Sequence, residues 1–526
     1  MTIKQNEPNS FIGNESITSE SNKRIAKNTG MLYFRMLLTM IVSLYTSRVV
    51  LNTLGIEDFG IYNAVAGFVT MFAFLNNAMA SATQRFLAFE IGREDKTKLH
   101  NVFNMSINIH VLISLIILIL AETIGLWFVK TQLTIPVERM GAVAWVYQFS
   151  IAMLMVNMIS VPYNAMIIAH ERMNVFAWVS IAEVSLKLFI VFVLQWFGFD
   201  KLKFYAVLLF GVILLTKFIF GMYCHIKYEE SKFRFYWDTP LFKTLFSYAS
   251  WNLWGNSAGV IMGQGINVLL NIFFGPVVNA AYGIAFRVKG AVNQFVNNFQ
   301  MALNPPIIKS YAADNLEYMH QLIFRGAKYS FFLLFTLSLP VLLETEIILK
   351  LWLKTVPDYT IVFTRLIIVN ILIESISRPL MTAAQASGKI RLYQSVVGSL
   401  LILNLPISYL FLKLGFPPES SLWIGIVISV IALFVRLKII RPLVKLNVKE
   451  YFKEVLLRII PTSIIAIIIP VFIIIGLQSG FYRLLASVAV SLLSVSASIY
   501  FIGLEKTEQT FVDKKIKLIY AKIKSE

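Results

Sequence analysis

The sequence predicts an all-α polytopic membrane protein of about fourteen transmembrane helices, built as two pseudo-symmetric six-helix lobes followed by two extra C-terminal helices. Three observations predict it. Of 526 residues, 57% are apolar and 14% charged, whereas soluble domains carry roughly 45–50% and about 25%. Runs such as Val111 to Leu120 are almost continuously apolar, while strands facing lipid in a barrel would alternate polar and apolar residues. Parts of the chain also repeat at a shift of about 220 residues.

Apolar runs bounded by charge, Gly and Pro place the spans at 31–52, 59–81, 103–128, 140–162, 173–197, 203–224, 244–273, 279–303, 327–350, 360–379, 392–412, 421–440, 457–477 and 483–504. A polar segment, 1–27, precedes them and reads as a cytosolic tail, not a cleaved leader. The expected organisation is an N-terminal lobe over 28–225, a cytosolic linker over 226–243, a C-terminal lobe over 244–442, two further helices within 443–504 and a basic tail over 505–526.

With the N-terminus in the cytosol, the inner segments hold 32 Lys and Arg and the outer loops 8. This bias obeys the positive-inside rule and places both termini in the cytosol. The formal charge of +18 therefore reports orientation, and nucleic acid is not an expected partner. With bases at span edges counted to the loops they adjoin, seven remain inside the spans: Arg35, Arg48, Lys187, Lys217, Arg287, Lys289 and Arg365.

The outer loops are short, which leaves no room for an extracytoplasmic catalytic domain, and no Asp-x-Asp pair could hold the metal of a sugar-nucleotide transferase. Gly388-Lys389 fails as a phosphate loop, because Ile390 replaces the required Ser/Thr and Ala383 the first Gly. The single cysteine, Cys224, excludes an intrachain disulfide, and no Cys/His spacing offers a zinc site. No cofactor and no enzymatic chemistry are expected; a membrane glycosyltransferase or polymerase is the remote alternative.

The shift of 220 superposes Gly55 on Gly275, Tyr62 on Tyr282, Asn77 on Asn297 and His100 on His320. A second register, 217, aligns Pro162, Ala169 and Arg172 with Pro379, Ala386 and Lys389. Duplication followed by loop drift leaves this pattern. Six spans per repeat is an even number, so both lobes enter the membrane from one side, as in two-lobed transporters.

The segment from Arg48 through Asn52-Thr-Leu-Gly55-Ile-Glu-Asp-Phe-Gly to Tyr62, with Gln84-Arg85-Phe86 and Pro162 to Arg172, resembles the polysaccharide-export flippases. These are the Wzx-type O-antigen translocases of the MATE-like multidrug/oligosaccharidyl-lipid/polysaccharide exporter superfamily. The resemblance implies two lobes around a cationic lumen. It also implies an undecaprenyl-pyrophosphate-linked oligosaccharide, an O-antigen or capsule repeat unit of lipopolysaccharide-type assembly, flipped across a bacterial inner membrane. Membrane lipids, and contact with other polysaccharide-assembly proteins, are the remaining partners it implies for a monomer. A cation-coupled multidrug exporter of the same superfamily is the alternative, for which an acidic, aromatic pocket is expected in place of a basic one.

Physical reasoning ranks the intramembrane charges. Glu183 and Lys187 share one helix face near the middle of their span, where neither can snorkel; Lys187 is expected to meet substrate charge, with Glu183 as counter-ion or coupling group for H+ or Na+. The competing reading is a structural pair between helices. Arg287 and Lys289 point about 200° apart, so at most one lines a lumen, and Arg287 is the choice. Lys217 and Arg48 are lumen candidates that could instead snorkel; Arg35 and Arg365, nearer interfaces, rank below them. Glu374, Glu122 and His110 could relay a coupling proton or simply pair in helix packing. Span seven is rich in Gly and Asn, which suits either close helix approach or a bending, cavity-facing helix.

Overall fold

A computed structural model describes residues 9–71, 74–131, 136–196, 200–353, 356–510, 512–514 and 517. Among the described residues every regular element is helical. In chain order these are α1 (Asn9–Met71), α2 (Phe74–Gly92), α3 (Lys96–Leu120), α4 (Leu126–Thr131), α5 (Met140–Ile159), α6 (Val161–Ala169), α7 (Met173–Trp196), α8 (Lys201–Lys227) and α9 (Thr239–Ala312). They continue as α10 (Leu316–Leu343), α11 (Thr345–Trp352), α12 (Thr360–Ser387), α13 (Ile390–Ile402), α14 (Asn404–Lys413), α15 (Ser420–Val444), α16 (Val448–Tyr451), α17 (Leu457–Gly476) and α18 (Phe481–Ser498).

Ten described helical stretches are long and apolar enough to cross a membrane, and each overlaps one expected span. The other four expected spans run along α1, α2 and α9. Of these, the span at 59–81 crosses residues 72–73, which lie outside the described residues. The polar segment 1–27, expected as a tail, is helical from Asn9 and runs without interruption into α1.

The long helices α1 and α9 are each two helices joined at a glycine. Gly55 has φ 82° and ψ 167°, and Gly275 has φ 77° and ψ −168°. This backbone region is essentially restricted to glycine, because a Cβ would clash with the chain's own backbone. The two positions are the ones that the shift of 220 superposes.

Other repeat mates share their backbone geometry. Glu94 and Asp314 are both left-handed, with φ 58° and 54°. Around them the hydrogen bonds match: Glu94 N–H to Ile91 O and Asp95 N–H to Glu90 O in one copy, Asp314 N–H to Tyr311 O and Asn315 N–H to Ser310 O in the other. Asp95 and Asn315 then cap the next helix by accepting from the N–H of Lys98 and Tyr318. In the second register, Glu171 and Gly388 are both left-handed, with φ 59° and 73°. His100 and His320 each bond a backbone carbonyl near the end of the copy's last helix, Glu230 O and Val444 O.

The chain divides into two compact units, Met1–Trp254 with Met301–Tyr318, and Gly255–Gln300 with Met319–Glu526. In the first, α1 packs on α7, α5 on α8 and α2 on α6. Its core includes Val65, Val69, Val143, Val146, Tyr147 and Ile151. A π-helical turn at Ala121–Gly125 separates α3 from α4, and the buried Tyr147 hydroxyl donates to Ala121 O at 2.6 Å. That bond gives an extra partner to a backbone carbonyl at a depth where water is scarce.

In the second unit α12 packs on α15 and α17 on α18. Ser487, Ser491 and Ser498, with Ser494 bonded to Ala466 O, put small side chains on the buried face of α18, which lets it approach α17. Ion pairs tie this appended pair of helices to the rest of the unit. Arg483 forks onto the carboxylate of Glu344 with both contacts at 2.9 Å. Beyond α18, Glu508 accepts from Lys328 of α10 at 2.7 Å and from the Tyr329 hydroxyl at 2.6 Å.

Candidate functional site

The α7–α8 pair brings together three of the residues singled out from the sequence. Glu183 Oε1 accepts from Lys187 Nζ at 2.7 Å, one helical turn away, as the i,i+4 spacing predicts. Lys217 on α8 is placed by the sequence where it could snorkel; its Nζ instead lies 3.7 Å from Glu183 Oε2 and 5.6 Å above the Phe220 ring. All three side chains are largely withdrawn from the surface. Two ammonium groups share one carboxylate, so the cluster carries a net positive charge near the middle of the expected spans. A buried charge of this kind is expensive and needs either a polar ligand or water.

In the second unit Arg287 and Lys289 diverge as their angular separation requires. Arg287 is exposed and forms no ion pair among the described residues. Lys289 lies 5.7 Å above Phe286 and, with Tyr282, Asn370, Asn404 and Ser421, lines a cavity of about 40 Å³. Glu374 on α12 accepts from Asn370 Nδ2 at 2.9 Å. One turn further, Arg378 donates to Asn297 and to Asn293 Oδ1, the latter at 2.9 Å. The Arg48 side chain lies outside the described residues.

The remaining intramembrane candidates have local partners. Arg365 donates to Leu342 O and Thr345 Oγ1, a helix-end contact that suits a structural role. Glu122 accepts from Gln148, His110 Nδ1 bonds Ser106 O, and Arg35 stacks on Phe176.

Two clusters had no individual signal in the sequence. Asp58, inside the motif that follows Gly55, pairs with Arg139, which also reaches Asp200 at 3.1 Å. These residues are scattered over more than a hundred positions and only the fold joins them. The second cluster centres on Glu171 in the turn between α6 and α7. Its carboxylate, 1% exposed, meets Arg24 Nε at 2.7 Å and Lys309 Nζ at 2.7 Å, while its carbonyl accepts from Asn28 Nδ2 at 2.9 Å. The left-handed backbone at Glu171 is uncommon for a non-glycine residue and marks a position held by its contacts. The neighbouring His170 ring stacks on Tyr228 at 4.1 Å. Burial, with Lys309 and Arg172 nearby, pushes the His170 imidazole down to about 4, so it is neutral at physiological pH.

Solved structures agree with this architecture. A multidrug resistance MATE family transporter of the MOP superfamily, in an outward-facing conformation, superposes with a TM-score of 0.67 at 14% identity, covering 81% of this chain and 96% of its own. A MOP superfamily transporter from Pyrococcus furiosus gives 0.65 at 14% identity, covering 81% and 96%. The Vibrio cholerae MATE transporter gives 0.61 at 16% identity, covering 81% and 98%. The fold is that of MATE-like membrane transporters. No curated protein matches the chain. A family model described as polysaccharide biosynthesis protein matches residues 25–311, which takes in the Gly55 motif, the Glu171 turn, the Glu183–Lys187–Lys217 cluster and Arg287. The chain belongs to the polysaccharide biosynthesis protein family.

Proposed function

We propose that the protein flips a lipid-linked oligosaccharide, carried on undecaprenyl pyrophosphate, from the cytosolic to the periplasmic leaflet of a bacterial inner membrane. Both termini lie in the cytosol, and the repeated units are the lobes at 28–225 and 244–442. The observation that carries the reading is the sign of the charge inside the spans: two lysines on one glutamate at α7–α8, with Arg287 exposed on α9. A pyrophosphate and its sugars cannot cross hydrocarbon without polar partners, since each unpaired group costs several kcal/mol. Ammonium and guanidinium groups supply those partners, the guanidinium bidentately.

Lys187, Lys217, Arg287 and Arg48 are assigned to substrate charge. Glu183 holds the first two in place when substrate is absent, and Glu374 is the second acidic candidate for coupling to H+ or Na+. A multidrug exporter of cationic compounds would reverse this charge balance, and the excess of bases favours the anionic cargo. The test is deletion of the gene in its native host, followed by assay of lipid-linked repeat units. The account expects them to accumulate facing the cytosol and surface glycan to fall. Unchanged glycan export with increased sensitivity to cationic drugs would favour the exporter instead.

A further inference from the structure

The linker between α8 and α9 contains an unbroken basic and aromatic sequence, Lys232-Phe-Arg-Phe-Tyr-Trp237. It forms no helix, and two side chains of α3 hold its backbone. Asn104 Oδ1 accepts from the Arg234 N–H at 2.7 Å, and Asn108 Nδ2 donates to Tyr236 O at 2.7 Å. The two asparagines sit one helical turn apart on α3, so the segment runs against that helix at a fixed register. Only a few residues further along, α3 exposes Val111, Leu112, Leu115 and Ile116, an apolar face suited to acyl chains. At a rise of about 1.5 Å per residue, Asn108 lies about 5 Å below Val111. The segment is therefore held beside the start of this exposed apolar face.

Apart from the half-buried Tyr236, its side chains are not covered. Lys232 and Arg234 are exposed, and Phe233, Phe235 and Trp237 are 57%, 74% and 46% exposed. Trp237 stacks on Phe242, which stacks on Phe246, itself half exposed, so the aromatic surface continues onto the first turns of α9. Along this irregular segment the aromatic residues 233, 235 and 237 alternate in sequence with the bases 232 and 234, and Tyr236 is half-buried. Glu229 and Glu230 precede the segment, and the backbone carbonyl of Glu230 is engaged by His100.

We propose that residues 232–237 form an interfacial binding strip for anionic phospholipid. Lys232 and Arg234 take the lipid phosphate, and Phe233, Phe235 and Trp237 sit among the glycerol and upper acyl groups. Charge complementarity selects the anionic headgroup, since bases near a membrane surface are attracted to it. The indole of Trp237 suits this layer because one part is apolar and its N–H can stay wet, while Phe233 and Phe235 add apolar area. The strip fixes the linker to the leaflet and so anchors the junction between α8 and α9, whatever the cargo of the transporter.

The test uses the full-length protein, purified and incubated with equimolar phosphatidylglycerol and phosphatidylcholine, with retained lipid counted by native mass spectrometry. The wild type is expected to retain phosphatidylglycerol severalfold over phosphatidylcholine, and the variant K232Q/R234Q to retain the two equally. Equal retention by the wild type, or undiminished preference in the variant, overturns the proposal. A measurement independent of those substitutions compares the wild type with W237F in nanodiscs containing brominated phosphatidylcholine. Quenching of the Trp237 contribution supports the strip, and an unquenched Trp237 removes it. In a third arm, undecaprenyl pyrophosphate competes with phosphatidylglycerol. Displacement at equimolar concentration that is lost in K232Q/R234Q would assign the strip to substrate and overturn the phospholipid reading.

Discussion

Gly92, the last residue of α2, packs so closely on Lys309 of α9 that a Cβ built on it would lie 2.7 Å from both the Cα and the carbonyl oxygen of Lys309. Ala312, the residue that the shift of 220 places opposite Gly92, contributes a methyl group at 2.9 Å. The two repeat-related helix ends thus meet each other, and the neighbouring Lys309 side chain reaches Glu171.

Gly92→Ala is expected to destabilise the protein by about 1–3 kcal/mol, because the atoms it would meet are the Lys309 backbone and the Ala312 Cβ, none of which can rotate away. Thermal unfolding of the purified variant checks this. A melting temperature equal to that of the wild type would show that the helices are not in contact at this point.

Gly55 and Gly275 resist substitution for a different reason. A Cβ at either position meets nothing within 4 Å, yet both have the positive φ and extended ψ that side chains resist. Gly55→Ala and Gly275→Ala should therefore each cost about 1–3 kcal/mol through backbone strain alone, and by similar amounts because the conformations match. Denaturation of both variants side by side tests the pairing. A neutral substitution at one site and a costly one at the other would break the equivalence of the two copies.

Much of the helical order was legible because a bilayer imposes it. Ten described stretches overlap expected spans, since length and hydropathy are local properties. Within α1 and α9 the gaps between neighbouring expected spans, 53–58 and 274–278, contain the kinks at Gly55 and Gly275, but the sharp backbone at each glycine could not be read from hydropathy. The i,i+4 pair of Glu183 and Lys187 was visible for the same local reason. The share of Glu183 taken by Lys217 was not, because it depends on how α7 packs on α8. Glu171 and Lys309 are separated by 138 residues, and Asp58 and Arg139 by 81. In the sequence, Lys309 and Arg139 are ordinary loop charges.

The buried His170 predicts a pH dependence. Its imidazole titrates at about 4 in the folded protein against 6.5 when unperturbed, with burial the main cause and the nearby Lys309 and Arg172 adding to it. Glu171 lies beside it in the chain, and Tyr228 covers its ring. Between these values the unfolded chain binds more protons, so stability falls as pH drops from about 6.5 toward 4. The full effect is worth about 3 kcal/mol. Melting temperatures across this range should fall more steeply for the wild type than for His170→Gln; parallel curves would show that the histidine is not buried in its neutral form.

The central claim is that excess positive charge within the spans receives an anionic headgroup. Lys187→Gln tests it, since the cluster loses its net positive charge while Glu183 keeps Lys217 as an ionic partner. The decisive measurement reconstitutes the full-length protein in liposomes and follows translocation of an undecaprenyl-pyrophosphate-linked oligosaccharide, using wild type, Lys187→Gln and Lys187→Gln/Arg287→Gln at matched incorporation. The account predicts that the wild type translocates the lipid, that the single variant is slower by about tenfold, the equivalent of about 1.4 kcal/mol, and that the double variant is slower still. Equal rates for all three proteins, or no translocation by the wild type, would contradict it.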